Sequence, residues 1–267
     1  MAVICVCSPK GGVGKTTLAA NIANGLQRAG GRVLAVDIDP QNALRLHFGI
    51  PLADDGGYAP ELGRQDWRIA LRRTASGVTV LPHGSMDSGA RLAMARGLDD
   101  NPELLAAMLR EAAADPGVTI VLDTPPGASR ALATVLPLAD VILAVLLADG
   151  GSVAMLPEIE SGRFLGRGTM GAMLNARMRF VLNQVHEGSR LSATVATALM
   201  RHLGPRLLGM VARGDAVAEA LACEQLIADH ASESRAAYDI AEIVRALHPM
   251  LPAAANPSPG VFAGAGR

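Results

Sequence analysis

The chain has 267 residues, half of them apolar, with 24 Lys and Arg against 25 Asp and Glu for a formal net charge of −1. That length suits one α/β domain, or at most two, with a sizeable core. The balanced charge argues against general attraction to polyanions, and the longest apolar run, Val141 to Ala148, falls far short of the roughly 20 residues a membrane span needs.

Ala2 to Cys7 is an apolar run that predicts a buried strand. No basic segment precedes it, so no export signal is expected. Cys5 and Cys7 are two apart and share one face of that strand, which makes them core residues rather than metal ligands. Cys223 is remote and the six histidines lack ligand spacing, so a reducing cytoplasm is the expected setting. Ser8 to Thr17, Ser-Pro-Lys-Gly-Gly-Val-Gly-Lys-Thr-Thr, leads from the strand into a helix expected over Leu18 to Arg28. Strand, glycine-rich loop and helix together are the setting of a phosphate-binding loop. Gly11, Gly12 and Gly14, around Val13, clear side chains away from N–H groups that can then face phosphate oxygens. The helix N-terminus points at the same anion. Lys15 is expected to reach the β- and γ-phosphates of ATP, and the hydroxyl of Thr16, followed by Thr17, to complete a Mg²⁺ shell. Only Lys10 and Lys15 among the 24 basic residues are lysine, the other 22 being arginine. A compact ammonium suits a crowded phosphate pocket better than a planar guanidinium.

Gly30-Gly31 stops the first helix, and Arg32 to Val36 predicts a second strand running into Asp37-Ile38-Asp39-Pro40-Gln41. Alternation sets Asp37 and Asp39 on one face beyond the strand's carboxyl end, the edge where open parallel sheets bind ligands. A short helix is expected over Asn42 to Phe48, then a loop from Gly49 to Asp66 that leads to Trp67, either a half-buried anchor or a partner contact. Gly77 to Pro82 predicts a third strand. Ser85 to Gly97 and Pro102 to Ala114 predict helices, the second capped by Asp99 or Asn101. Val118 to Leu122 predicts a fourth strand closed by Asp123-Thr124-Pro125-Pro126-Gly127, with Asp123 in the position that holds Mg²⁺ through its water shell. Asp140 to Leu147 predicts a fifth strand, followed by a helix reaching Gly166. Arg179 to Leu182 and Leu207 to Ala212 are further strands, and Leu191 to Leu203 and Ser232 to Leu247 further helices. This alternation predicts a mostly parallel twisted α/β sheet with helices on both faces.

The run Lys10-Gly-Gly-Val-Gly-Lys-Thr-Thr17 departs from the standard phosphate loop, because Pro9 stands where its first glycine belongs. With the D-x-D-P-Q and D-T-P-P segments, it resembles the deviant loop of the MinD/ParA family of dimerising P-loop ATPases. The resemblance implies an ATP-dependent homodimer in which Lys10 crosses to the partner's nucleotide. It implies that Asp37 lies near the Mg²⁺ shell and that Asp39 orients the attacking water. It also implies that Asp149 faces the partner nucleotide and that Asn183 reads adenine, beside a loop of Arg213-Gly214-Asp215. Ala212 replaces the proline common in that loop. Lys10, Lys15 and Asp39 are thus the candidate catalytic residues, and Thr16, Asp37 and Asp123 the candidate Mg²⁺ residues.

Four further stretches resemble the cellulose-biosynthesis branch of that family: Leu44 to Phe48, Gln65 to Arg68, Leu81 to Gly84, and Arg213 to Ala220. The likeness implies a cytoplasmic accessory of a bacterial cellulose-secretion complex, recruited to the inner membrane by partner proteins. The alternative is a ParA-like partitioning ATPase that binds DNA through arginines 72, 73, 177, 179, 201 and 206. Residues 1–248 are expected to form the ATPase domain. The Pro/Ala/Gly-rich tail, 249–267, is expected to be disordered and lacks a basic amphipathic helix, so direct membrane insertion is not expected.

Overall fold

A computed structural model describes residues 2–161 and 169–251. The expected reach of the fifth-strand helix to Gly166 and the tail beyond Leu251 lie outside them. Eight strands form one sheet in the order β3-β4-β2-β5-β1-β6-β7-β8. They are β1 (Ala2–Cys7), β2 (Arg32–Asp37), β3 (Arg72–Arg73), β4 (Thr79–Leu81), β5 (Val118–Asp123), β6 (Val141–Leu147), β7 (Met178–Val185) and β8 (Leu207–Ala212). All pairings are parallel except β3 with β4. Strand β4 falls within the strand expected over Gly77 to Pro82, whereas β3 has no counterpart among the expected strands. Two arginines carry no apolar alternation, and only the partner strand makes them a strand.

The helices are α1 (Lys15–Arg28), α2 (Ser88–Asp100), α3 (Glu103–Ala113), α4 (Arg130–Val135), α5 (Gly150–Glu160), α6 (Thr169–Ala176), α7 (Arg190–Leu203), α8 (Asp215–Ala222), α9 (Ile227–His230) and α10 (Arg235–Leu247). The stretch expected as a helix after Asn42 is a 3₁₀ helix, Leu44–Phe48. Helix α2 starts at Ser88, where Asp87 accepts from Ala90 N, rather than at Ser85. The expected cap of α3 is also corrected: Pro102 precedes it with no side-chain cap, while Asp99 lies inside α2 and pairs with Arg130.

Strand β1 shows how the layers arise. Val3, Cys5 and Cys7 face a core shared with α2, α3, α4, α5 and α7. Ile4 and Val6 face a second core built with α1, α8, α9 and α10. A parallel strand covered on both faces reads as an unbroken apolar run for this reason. Both cysteines are fully buried, and burial pushes the Cys7 thiol up to about 12. Helix α10 packs so closely on α1 that a Cβ at Gly25 would stand 2.7 Å from Val244 Cγ2.

Candidate nucleotide site

Central strand β1 delivers the glycine-rich loop to the carboxyl edge of the sheet, flanked by β5 and β6. Gly12 (φ 72°) and Gly14 (φ 87°) adopt left-handed conformations that side chains disfavour. Ser8 Oγ accepts from Lys10 N at 3.2 Å, shaping the loop's start. Gly14 occupies the N-cap of α1 with no side-chain cap, which leaves the first-turn N–H groups of that helix available to an anion. Asn183, at the carboxyl end of β7, donates from Nδ2 to Val13 O at 2.8 Å. A Cβ on Gly14 would collide with that amide.

Lys15 is buried and forms no ion pair with a described residue. Strand pairing sets Asp37 directly beside Asp123. Alternation turns both toward the α1 face, since Ala35 and Val121 belong to the core on that side. Asp37 is wrapped by its own loop: Oδ1 accepts from Asp39 N at 2.9 Å and Oδ2 from Leu44 N at 3.0 Å. Burial, then the charge of Asp123, raise its carboxyl above the ordinary range. Asp39 lies just past the strand, with Oδ1 accepting from Gln41 N at 2.9 Å.

Asp123 has no exposed surface, and neither carboxylate oxygen has a hydrogen-bond partner. Burial pushes it up to about 7, against the opposing pull of Thr16 and Lys15. Thr16 and Lys15 thus lie close enough to Asp123 to favour its charged form, but no donor reaches hydrogen-bond geometry with either oxygen. A buried, unpartnered carboxylate beside a threonine hydroxyl fits a hydrated cation. No group of three or more His, Cys, Asp or Glu side chains able to hold a metal occurs among the described residues. The carboxylate of Asp123 beside the Thr16 hydroxyl suits Mg²⁺, which keeps waters and takes phosphate oxygens together with one or two carboxylates.

The segment after Asp123 is tied back to the loop. Thr124 Oγ1 donates to Val6 O at 2.8 Å, and Gly127 N donates to Ser8 O at 2.9 Å. Both attachments were missed in the sequence, although Thr124 and Gly127 belong to the recognised segment. His83, named in the sequence only within the stretch Leu81 to Gly84 and given no role there, is buried and held at Nδ1 by Gly84 O at 3.0 Å, near enough to Asp39 to feel its charge.

Asp149 caps α5 and pairs with Lys10. Arg213 is exposed at the β8–α8 turn, its N–H donating to Val185 O at 2.9 Å. The fold therefore gathers the glycine loop, Lys15, Thr16, Asp37, Asp39, Asp123 and Asn183 around the end of β1. Lys10 and Asp149 lie together at its rim, and Arg213 sits farther along the same edge.

The profile of the family described as "Cellulose biosynthesis protein BcsQ" matches residues 1–246. BcsQ of Salmonella typhimurium is 29% identical over 241 residues, covering 90% of this chain and 91% of the relative. The chromosome-partitioning ATPase Soj of Thermus thermophilus is 31% identical over 247 residues, covering 88% and 90%. The cell division ATPase MinD of Pyrococcus furiosus superposes with a TM-score of 0.73 at 23% identity, covering 93% of this chain and 99% of that one. The mostly parallel sheet is that of the MinD/ParA-like P-loop proteins, and the chain belongs to the cellulose biosynthesis protein BcsQ family.

Proposed function

We propose that the chain is an ATP-hydrolysing switch serving bacterial cellulose biosynthesis and secretion, with ATP sandwiched in a homodimer. The observation that carries the nucleotide reading is the unpartnered Asp123 carboxylate facing Thr16 and Lys15 at the mouth of an open glycine loop. Lys15 and the first-turn N–H groups of α1 hold the phosphates, and Gly11 to Gly14 admit them to the backbone. Thr16, Asp37 and Asp123 hold Mg²⁺, which supplies charge neutralisation on the phosphates. Asp39 orients the attacking water. Lys10 reaches the partner's nucleotide, where a second cation stabilises charge developing in transfer. Asp149 faces the partner's nucleotide from the rim, and Asn183 reads the adenine, beside the loop that carries Arg213. Residues 1–248 act as the ATPase unit.

The assignment to cellulose secretion is supported by the family match. No described helix is long and apolar enough to cross a membrane. We take the site of action as cytoplasmic, with recruitment to the inner membrane by partner proteins. The DNA-partitioning alternative draws on the likeness to Soj. Four arginines that would form its patch are engaged internally. Arg72 holds Asp54, Arg177 and Arg179 donate to backbone carbonyls, and Arg206 pairs with Glu160.

Titration calorimetry is expected to show Mg²⁺-dependent ATP binding that Lys15→Ala abolishes. Asp39→Ala is expected to bind ATP, turn over poorly and double in mass by light scattering. A deletion strain is expected to lose cellulose export. Undiminished binding by Lys15→Ala would sink the nucleotide site. Micromolar, salt-sensitive binding of random duplex DNA by the ATP-bound Asp39→Ala protein would favour partitioning instead.

A further inference from the structure

Strands β2 and β4 leave the sheet side by side, because Val36 pairs with Leu81 in parallel register. Asp37 to Asp39 follow on one chain segment and Pro82 to Gly84 on the other. The second exit belongs to Leu81-Pro82-His83-Gly84, a stretch that the nucleotide site leaves unused. A backbone clasp holds it. Pro82 O accepts from Tyr58 N at 3.2 Å, and His83 O accepts from Ala59 N at 2.9 Å. Gly84 takes a left-handed φ of 93°, and a Cβ on Gly57 would stand 2.3 Å from the His83 carbonyl carbon. Glycine at both places lets the two segments close on each other.

The clasp fixes the His83 ring and its tautomer. His83 is 1% exposed, and the Tyr58 ring packs T-shaped against it with centroids 5.8 Å apart. Burial, aided by Arg91, lowers its pKa below the ordinary value, so the ring is uncharged at neutral pH. Gly84 O can only accept, so Nδ1, 3.0 Å away, carries the single ring proton and donates it. Nε2 is left with a lone pair and no partner among the described residues. Asp39, whose charge reaches this ring, has one committed oxygen: Oδ1 accepts from Gln41 N at 2.9 Å. Its Oδ2 meets no donor among the described residues. Asp39 also keeps 9% of its surface exposed, where Asp37 and Asp123 keep none. Two acceptors without donors thus stand at neighbouring exits from the sheet, and one water molecule has two hydrogens to give.

We propose that His83 is a further catalytic residue, its Nε2 taking one hydrogen of the attacking water while Asp39 takes the other. The role rests on the proposed reading of Asp39 as the residue that orients that water. Held at both hydrogens, the water turns an oxygen lone pair toward the γ-phosphorus, whereas one carboxylate alone leaves it free to rotate. The water oxygen then bonds to phosphorus. The bond from phosphorus to the bridging oxygen breaks with its electron pair on ADP, and the proton that water loses ends on the released phosphate.

Steady-state ATPase assays of the full chain, beside calorimetric ATP titration, test the assignment. His83→Ala is expected to lower kcat by roughly tenfold, the scale of one lost hydrogen bond, with ATP affinity unchanged. Glutamine can place an oxygen where Nε2 stood, whereas asparagine reaches only as far as Nδ1. His83→Gln is therefore expected to recover most of kcat and His83→Asn none of it, a comparison that decides even where the alanine protein does not fold. In the Asp39→Ala background, His83→Ala is expected to cost nothing further, because the grip on the water is already broken. Parent-like kcat in His83→Ala, equal activities of the glutamine and asparagine variants, or a loss carried by ATP affinity overturns the role of His83 and leaves Asp39 in place. No turnover in the parent chain, or parent-like turnover in Asp39→Ala, removes the hydrolysis reading itself and the role of His83 with it.

Discussion

Lys10 and Asp149 meet within one chain, Nζ standing 2.7 Å from Oδ2. The other oxygen of Asp149 accepts from Ser152 N at 2.7 Å, so one carboxylate both caps α5 and restrains the start of the phosphate loop. Burial would raise this carboxyl, but Lys10 and Ser152 together hold it below the ordinary range. The two side chains are 39% and 37% exposed. An ion pair so open to water contributes no more than about 1 kcal/mol, so breaking it would cost Lys10 little. Asp149→Asn keeps a cap acceptor and removes the charge, so its urea midpoint should stay close to that of the parent chain. Asp149→Ala removes the cap and should cost about 1 kcal/mol. Equal losses in the two variants would mean that the ion pair, not the cap, carries the stability.

Asp123 predicts a conflict between stability and function. Its carboxylate is buried without a partner, and burial raises it to about 7. Asp37, raised by burial and by that neighbour, lies beside it. Asp123→Asn removes the charge while keeping the shape, and should stabilise the nucleotide-free protein by about 1 kcal/mol or more. The same change should erase the Mg²⁺ dependence of ATP affinity. Calorimetric melting and ATP titration with and without Mg²⁺ measure the two halves, and a melting point below the parent's would contradict the first.

His47 sets the acid limit. It is buried on the 3₁₀ helix, and burial pulls its imidazole from 6.5 down to about 4. The unfolded chain therefore binds a proton that the fold refuses, so stability is intact above pH 6.5 and is lost as pH falls toward 4. The full effect is about 3 kcal/mol. His83, also lowered chiefly by burial, acts in the same direction. Urea melts at pH 7, 6 and 5 should show this loss, and His47→Gln should flatten it. An unchanged slope in that variant would remove His47 from the account.

The parts of the site readable in the sequence are those whose meaning is local. The loop from Lys10 to Thr17 lies between one strand and one helix, and Asp37 and Asp123 each end an apolar run. What escaped depends on contacts across the chain. Strand β3 exists only through its pairing with β4. Thr124 and Val6 are 118 residues apart, and Lys10 and Asp149 are 139 apart. The start of α2 was missed because Asp87, not Ser85, supplies its cap. Spacing along the chain encodes the chemistry of each piece, while the strand order decides which pieces meet.

Asn183 provides the last prediction. Its Nδ2 is committed to Val13 O at 2.8 Å, which leaves Oδ1 able to accept a hydrogen bond from a ligand. Adenine offers an amino donor at its sixth position, where guanine offers an acceptor. If Asn183 both braces the loop and reads the base, Asn183→Ala should weaken ATP by roughly tenfold, the scale of a lost hydrogen bond with its support. GTP should be weakened less, because it gains nothing from Oδ1 in the parent protein. The ratio of ATP to GTP affinity, measured by competition against a fluorescent nucleotide, should therefore fall in the variant. An equal loss for both nucleotides would leave Asn183 as a brace for the loop and assign the choice of base to other residues on the sheet edge.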